Sequence, residues 1–200
     1  MVGRGIWWRS LTSRPLASAG SCFGCLLVNT ESAFPKTVIN SLVNRTKSYL
    51  ASQAGIDVTD TRRITRNLDQ LELRQSTAII GVGGSIGILI AFSFPQEMVD
   101  VLYDRLTANI EVPAGDEALY RRETVTEMAN VIIGNCTADF SIDGECISIS
   151  PPILLEAAKH IHRLKNAMFD SISMVTAHGC FDINLVGPRD MFDAHLNYTQ

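Results

Sequence analysis

Nowhere in this 200-residue chain does an apolar run reach the roughly 20 residues needed to cross a bilayer as a helix. The longest, Ile86 to Phe94, is short and carries Gly87 and Ser93. A concentration of basic side chains is missing too. Residues 1–30 hold Arg4, Arg9 and Arg14 and no acid, which leaves 14 of the 17 basic side chains facing all 21 acidic ones, a net of −7 against −4 for the whole chain. Phosphate-backbone binding needs the opposite balance, so nucleic acid is excluded as the partner. Cysteine is sparse: Cys22, Cys25, Cys136, Cys146 and Cys180 form an odd, irregular set. That is not a secreted disulfide scaffold, and it points to reduced thiols in a cytoplasmic protein.

Several chemistries fail for want of a single partner. Gly81-Val82-Gly83-Gly84-Ser85-Ile86-Gly87 fits neither nucleotide-binding glycine pattern, and no Lys-Ser/Thr follows it. It suits a hairpin turn. His160-x-His162 has no acidic or cysteine residue spaced to complete a metal site, and Cys22-x-x-Cys25 has no second pair. Ser148 and Ser150 stand without a recognisable His/Asp arrangement, so nucleophilic catalysis has no support.

What is present is an ordinary globular composition, 46% hydrophobic and 19% charged. It suffices for one domain with tails. Residues 1–33 are Arg/Ser/Gly-rich with Trp7-Trp8, and their apolar part, Cys22 to Val28, is short and poorly placed for a secretory signal. They are expected to be a disordered segment or a mis-assigned start. The domain is expected over 34–188, closed by Gly187-Pro188, with 189–200 as a C-terminal tail.

Inside those bounds the periodicity alternates between helix and strand. Phe34 to Ala54 places Val38, Ile39, Leu42, Val43 and Leu50 at helical spacing, with Tyr49 beside them, Pro35 in the first turn and Gly55 as the stop. Ile56 to Arg66 is β-prone, and the polar stretch to Gln75 has no clear pattern. Ser76–Val82 and Ile86–Phe94 read as a hairpin around Gly83-Gly84-Ser85. Pro95 opens a helix with Met98, Val99, Leu102 and Leu106 on one face, and Pro113-Ala114-Gly115 breaks the chain. Asp116 is placed to cap a long helix to about Phe140. Glu145–Ile149, Ser171–Thr176 and Phe181–Val186 look like strands, while Ile153–Ala158 suits strand or helix. The fold class is therefore α+β, a largely antiparallel sheet flanked by helices.

The long helix is the informative one. At 100° per residue, Val125, Met128, Ala129, Ile132 and Cys136 share one side, and Glu123, Glu127, Asn130 and Gly134 form a stripe on the other. Glu127 and Asn130, three apart, are neighbours pointing outward. Asn and Gly are poor helix interior residues, and Gly134 bares the backbone. A plain solvated face, built more naturally from Glu, Lys and Gln, remains the competing account of this stripe.

Glu127-x-x-Asn130 followed by Gly134 resembles the Glu-x-x-Asn signature of the CheC/CheX chemotaxis phosphatases. The hairpin at Gly83-Gly84-Ser85-Ile86-Gly87, the segment Ile149-Ser150-Pro151-Pro152 and the closing Phe169–Val186 resemble the family's context around that signature. The resemblance implies hydrolysis of the phosphoaspartate of a CheY-type response regulator. Asn130 would orient the attacking water and Glu127 would pair with the regulator's lysine; Glu123 and Gly134 would face the partner. Glu123 stands where the family often has Asp or Ser, so an acceptor is kept on a longer arm. Mg²⁺ would belong to the regulator, leaving this chain with no cofactor of its own. A single signature is similar to the CheX type, which implies a homodimer joined through sheet edges. The alternative is a non-catalytic binding module of the same fold that docks a signalling partner.

Overall fold

The structure is a computed structural model, and it describes residues 34–66, 70–84, 87–140, 146–157, 160–162 and 167–188. The segments 1–33 and 189–200, with Ser85-Ile86 of the expected turn and Glu145 of an expected strand, lie outside the described residues.

Helix α1 (Phe34–Tyr49) passes into a π-helical turn, Leu50–Ala54. Gly55 ends it in the left-handed region at φ 61°, its N–H donating to the Leu50 carbonyl. Strands β1 (Val58–Arg66), β2 (Gln70–Glu72), β3 (Ser76–Gly83) and β4 (Ile88–Phe94) follow, then helices α2 (Gln96–Leu106) and α3 (Glu117–Phe140). The chain closes with β5 (Ser148–Ile149), β6 (Ile153–Glu156), β7 (His160–His162), β8 (Ala167–Thr176) and β9 (Gly179–Pro188). The segment that suited strand or helix is strand: β6 pairs with β3 from Ser76↔Glu156 to Ile79↔Ile153. The patternless stretch before Gln75 contains β2, which pairs with β7.

Seven strands form one antiparallel sheet in the order β1-β8-β9-β4-β3-β5, with β6 also on β3. Strand alternation divides its residues between two faces. Ala78, Ile80, Val82, Ile88, Ile90, Phe92, Phe94, Ile172, Met174, Phe181, Ile183 and Leu185 share one core with the buried faces of the helices. Within it the Phe94 and Phe181 rings stack at 4.9 Å. The other face is more polar. Thr77 and Ser93 hydroxyls meet at 2.9 Å, the Ser171 hydroxyl donates to Asn184, and Leu71 covers Phe169 and Val186 in a small second cluster.

Helix α3 is tied to three neighbours. The Asp139 carboxylate accepts the Ser41 hydroxyl at 2.7 Å and two nitrogens of Arg45 at 3.0 and 3.1 Å, which joins α3 to α1. Arg121 bonds Asp100 of α2 at 3.0 Å and stacks over Tyr103, and Arg122 reaches Glu156 of β6 at 3.4 Å. Exposed pairs of this kind contribute about 0–1 kcal/mol each, whereas fully burying a large aliphatic side chain contributes about 1.5–3. Burial of Val125, Met128, Ile132, Ile133 and Phe140 therefore holds α3 down. The ion pairs fix its rotation and register.

The Arg45 and Ser41 hydrogen bonds hold the Asp139 carboxyl below its ordinary value. A carboxyl depressed in the folded state adds stability above its unfolded pKa of about 3.9 and loses it as pH falls through the folded value. Asp139→Asn should therefore be less stable than wild type at pH 7, and the gap should close below about pH 4. Urea unfolding at pH 7, 4 and 3 checks this; a gap unchanged at pH 3 would contradict it.

Candidate functional site

The start of α3 is set by the Pro113-Ala114-Gly115 break. The Glu117 carboxylate accepts the Gly115 N–H at 3.1 Å, and the Asp116 carbonyl takes the Tyr120 N–H of the first turn. From there the helix runs unbroken to Phe140, so 3.6-residue periodicity decides which side chains meet the core. Val125, Met128, Ala129, Ile132 and Cys136 are buried. Glu123, Glu127, Asn130 and Gly134 are all exposed, in one stripe on the opposite side. All four residues expected to face outward are thus brought together on one surface.

Neither the Glu127 nor the Asn130 side chain is engaged in a hydrogen bond or ion pair among the described residues. Glu127 can offer two acceptor oxygens, and Asn130 both a donor and an acceptor. Two surface hollows form elsewhere. One lies between the β3–β4 turn and β5, around Gly81, Leu89 and Ser148; the other lies between α2, α3 and β6, around Gln96, Arg121 and Glu156. Neither includes Glu127 or Asn130. Small-molecule sites are concave. A polar pair standing on a helix face suits a macromolecular partner that brings its own cavity.

Tyr49, noted in the sequence only as a neighbour of the α1 apolar face, belongs to this surroundings. Helices α1 and α3 run antiparallel, because Ser41 and Arg45 meet Asp139 while Tyr49, further along α1, lies within the electrostatic reach of Glu127. Burial first, and the Glu127 charge second, push the Tyr49 phenol up to about 12, so it stays a neutral hydroxyl at physiological pH. No helical or strand pattern could announce this neighbour, since it depends on the docking of two helices distant in sequence. His160, a candidate metal ligand in the sequence, is exposed on β7, which pairs with β2. Among the described residues no group of three or more His, Cys, Asp and Glu gathers that could hold a metal ion. No described helix is long and apolar enough to cross a membrane.

The family model described as chemotaxis phosphatase CheX matches residues 76–172, from the first residue of β3 through α3 into β8. Over that segment the chain is similar to the CheX family. The solved structures it resembles agree with that statement at the level of fold. A chemotaxis protein CheX from Desulfovibrio desulfuricans superposes with a TM-score of 0.64 at 18% identity, covering 74% of this chain and 97% of the other. A putative chemotaxis protein from Desulfovibrio vulgaris Hildenborough gives 0.64 at 19%, covering 74% and 94%. The CheX of a CheX-CheY-BeF3-Mg complex from Borrelia burgdorferi gives 0.59 at 15%, covering 76% and 97%. No curated protein sequence matches the chain. The α+β, antiparallel, helix-flanked architecture expected from the sequence is the CheC/CheX architecture. At the family level the associated activity is that of a chemotaxis phosphatase.

The division of the CheX-like helix into two faces has a direct consequence for stability. Met128→Ala empties a fully buried site and should cost about 2–5 kcal/mol. Asn130→Ala replaces a poor helix former on the exposed face and should raise stability by several tenths of a kcal/mol. Urea unfolding of the two variants reads both signs, and an Asn130→Ala protein as damaged as Met128→Ala would mean the faces are assigned wrongly.

Proposed function

We propose that this chain hydrolyses the phosphoaspartate of a CheY-type response regulator, with Asn130 orienting the attacking water and Glu127 anchoring the partner. The observation that carries the reading is the exposed, unengaged pair Glu127/Asn130, lying inside the segment that matches the chemotaxis phosphatase family. Hydrolysis of an acyl phosphate needs a water in line with the breaking P–O bond, plus neutralisation of charge on the phosphoryl oxygens. Water supplies the oxygen and protons of the released phosphate, and the regulator's aspartate leaves as a carboxylate. An amide serves this step without a matched pKa, because it positions the water by donating and accepting hydrogen bonds. Glu127 would pair with the regulator's lysine across the interface, a charge-assisted contact that fixes register. Glu123 adds a second acceptor one turn earlier.

Mg²⁺ enters with the regulator in this reading, and no resident metal site is asked of the chain. The Borrelia CheX structure, which contains CheY, BeF3 and Mg²⁺, supports that arrangement for a relative of the same fold. The exposure of the pair suits it, since the phosphoryl group and the cation would both sit in the regulator's own cavity. A homodimer through sheet edges belongs to the same reading. Among the described strands β1 pairs only with β8 and β6 only with β3, and Ile153 on β6 is 62% exposed. Unpaired edges of this kind ask for cover. Light scattering on the full chain should then give twice 21.9 kDa, and a monomer at all concentrations would remove the dimer.

The deciding assay follows the decay of each phosphorylated CheY-type regulator of the source organism, alone and with this protein. Wild type should accelerate decay. Asn130→Ala should lower kcat by about 10²-fold or more with KM nearly kept, the effect expected when the reacting water loses its position. Glu127→Ala should mainly raise KM, by about 10- to 100-fold, as expected for loss of one charged anchor. A wild type that binds a regulator without hastening decay would leave the non-catalytic docking module instead.

A further inference from the structure

Of the buried serines among the described residues, Ser41 bonds Asp139 and Ser93 bonds Thr77 through the hydroxyl. Ser76 differs. It is only 7% exposed, yet its hydroxyl takes part in no hydrogen bond among the described residues. Opening β3 in phase with Ala78 and Ile80, it points to the helix-facing side of the sheet, into the hollow between α2, α3 and β6. A buried hydroxyl left unanswered costs stability, so it asks for a hydrogen-bond partner from outside the chain. Water can fill that need, but the rest of the hollow is more selective.

Arg121 and Arg122 both line it, and each engages a carboxylate through Nε, Arg121 on Asp100 at 3.0 Å and Arg122 on Glu156 at 3.4 Å. A guanidinium has five N–H groups, so both keep donors for an oxyanion. Gln96, also in the lining, opens α2; its N-cap is Pro95, which offers no side-chain acceptor, so the N–H groups of that first turn add positive potential. Val99, Val125 and Leu154 supply an apolar wall. The Glu156 carboxylate lines the hollow too, half exposed and offset by Arg122. At about 180 Å³ the space is smaller than a drug-sized site of about 300–1,000 Å³ and admits only a small molecule. We propose that this hollow binds a small oxyanion, a phosphate or a short aliphatic carboxylate, held by Arg121, Arg122 and the Ser76 hydroxyl. The site stands apart from the reading of Glu127/Asn130. Residues 118, 121, 122 and 125 line the flank of α3 toward α2 and β6, whereas 123, 127, 130 and 134 face away. Occupancy would bridge α2, α3 and the sheet, and so stabilise their packing.

Thermal unfolding of the full chain, with added inorganic phosphate, butyrate or potassium chloride at matched ionic strength, tests this. At about 10 mM, phosphate or butyrate should raise the midpoint by about 3–6 °C over chloride, the shift expected for a Kd of about 1 mM. Either anion sustains the site, and the one that binds tighter names the head group. Ser76→Ala should leave the ligand-free midpoint unchanged or higher, because the hydroxyl it removes has no partner in the chain, while weakening the anion about 5- to 10-fold. A merely structural hydroxyl would do the reverse. Arg122→Gln should weaken binding about 10-fold. Glu156→Gln should tighten it about 3- to 10-fold by removing the opposing charge. No shift beyond chloride, a shift that survives both Ser76→Ala and Arg122→Gln, or weaker binding in Glu156→Gln overturns the proposal.

Discussion

Burial of one side of α3 is the constraint on which the rest of the molecule depends. The helix has Val125, Met128, Ala129, Ile132, Ile133 and Cys136 on the side that meets the sheet and α1, and it cannot leave them in water. With a rise of 1.5 Å and 100° per residue, hiding those positions leaves Glu123, Glu127, Asn130 and Gly134 nowhere to point but outward. The sheet beneath offers a matching apolar face from β3, β4, β8 and β9. Arg45 and Ser41 on Asp139, with Arg121 on Asp100, then keep the helix from turning about its own axis. The orientation of the candidate site is thus a by-product of core packing, set by groups outside the exposed stripe.

What could be read in the sequence followed local period. The α1, α2 and α3 stripes, the β3–β4 hairpin and the closing β8–β9 pair all announce themselves within a window of a dozen residues. The outward direction of Glu127 and Asn130 could be read the same way, because it needs only the helical repeat and the rule that apolar residues go inside. Elements defined by distant partners were harder to read. Strand β2 is three polar-flanked residues whose existence depends on β7, some ninety positions later in a chain numbered to 200, and β6 is a strand because β3 offers it an edge. The π-helical turn after Tyr49 has no compositional mark, and Tyr49's approach to Glu127 arises only when two helices dock. Nonlocal structure of this kind needs the tertiary fold to exist before its sequence can be interpreted.

The shape of the site bears on how a partner would be chosen. An exposed pair on a helix surface gives little purchase to a small ligand, because most of the ligand would stay in water. A folded partner with a complementary hollow reverses the geometry: the helix becomes the inserted element, and specificity comes from which side chains the hollow can accept. Two acidic arms on one half of the stripe and low-profile residues on the other make that acceptance directional.

The two side chains of the pair also divide the physical labour in a way that suits an exposed surface. A catalytic acid or base on an open helix would have to keep a tuned proton affinity while surrounded by water, which levels such shifts; desolvation is what moves a pKa far. In the proposed reading Asn130 avoids the difficulty, because an amide has no proton to tune and would work by direction alone. Glu127 needs only to be charged, and its attraction grows when the approaching partner excludes water from between the two surfaces. In that reading complex formation would create the low-dielectric, pre-oriented environment that most enzymes build into a cleft beforehand. On that argument the isolated chain should be read as half of a site, completed by the surface it meets.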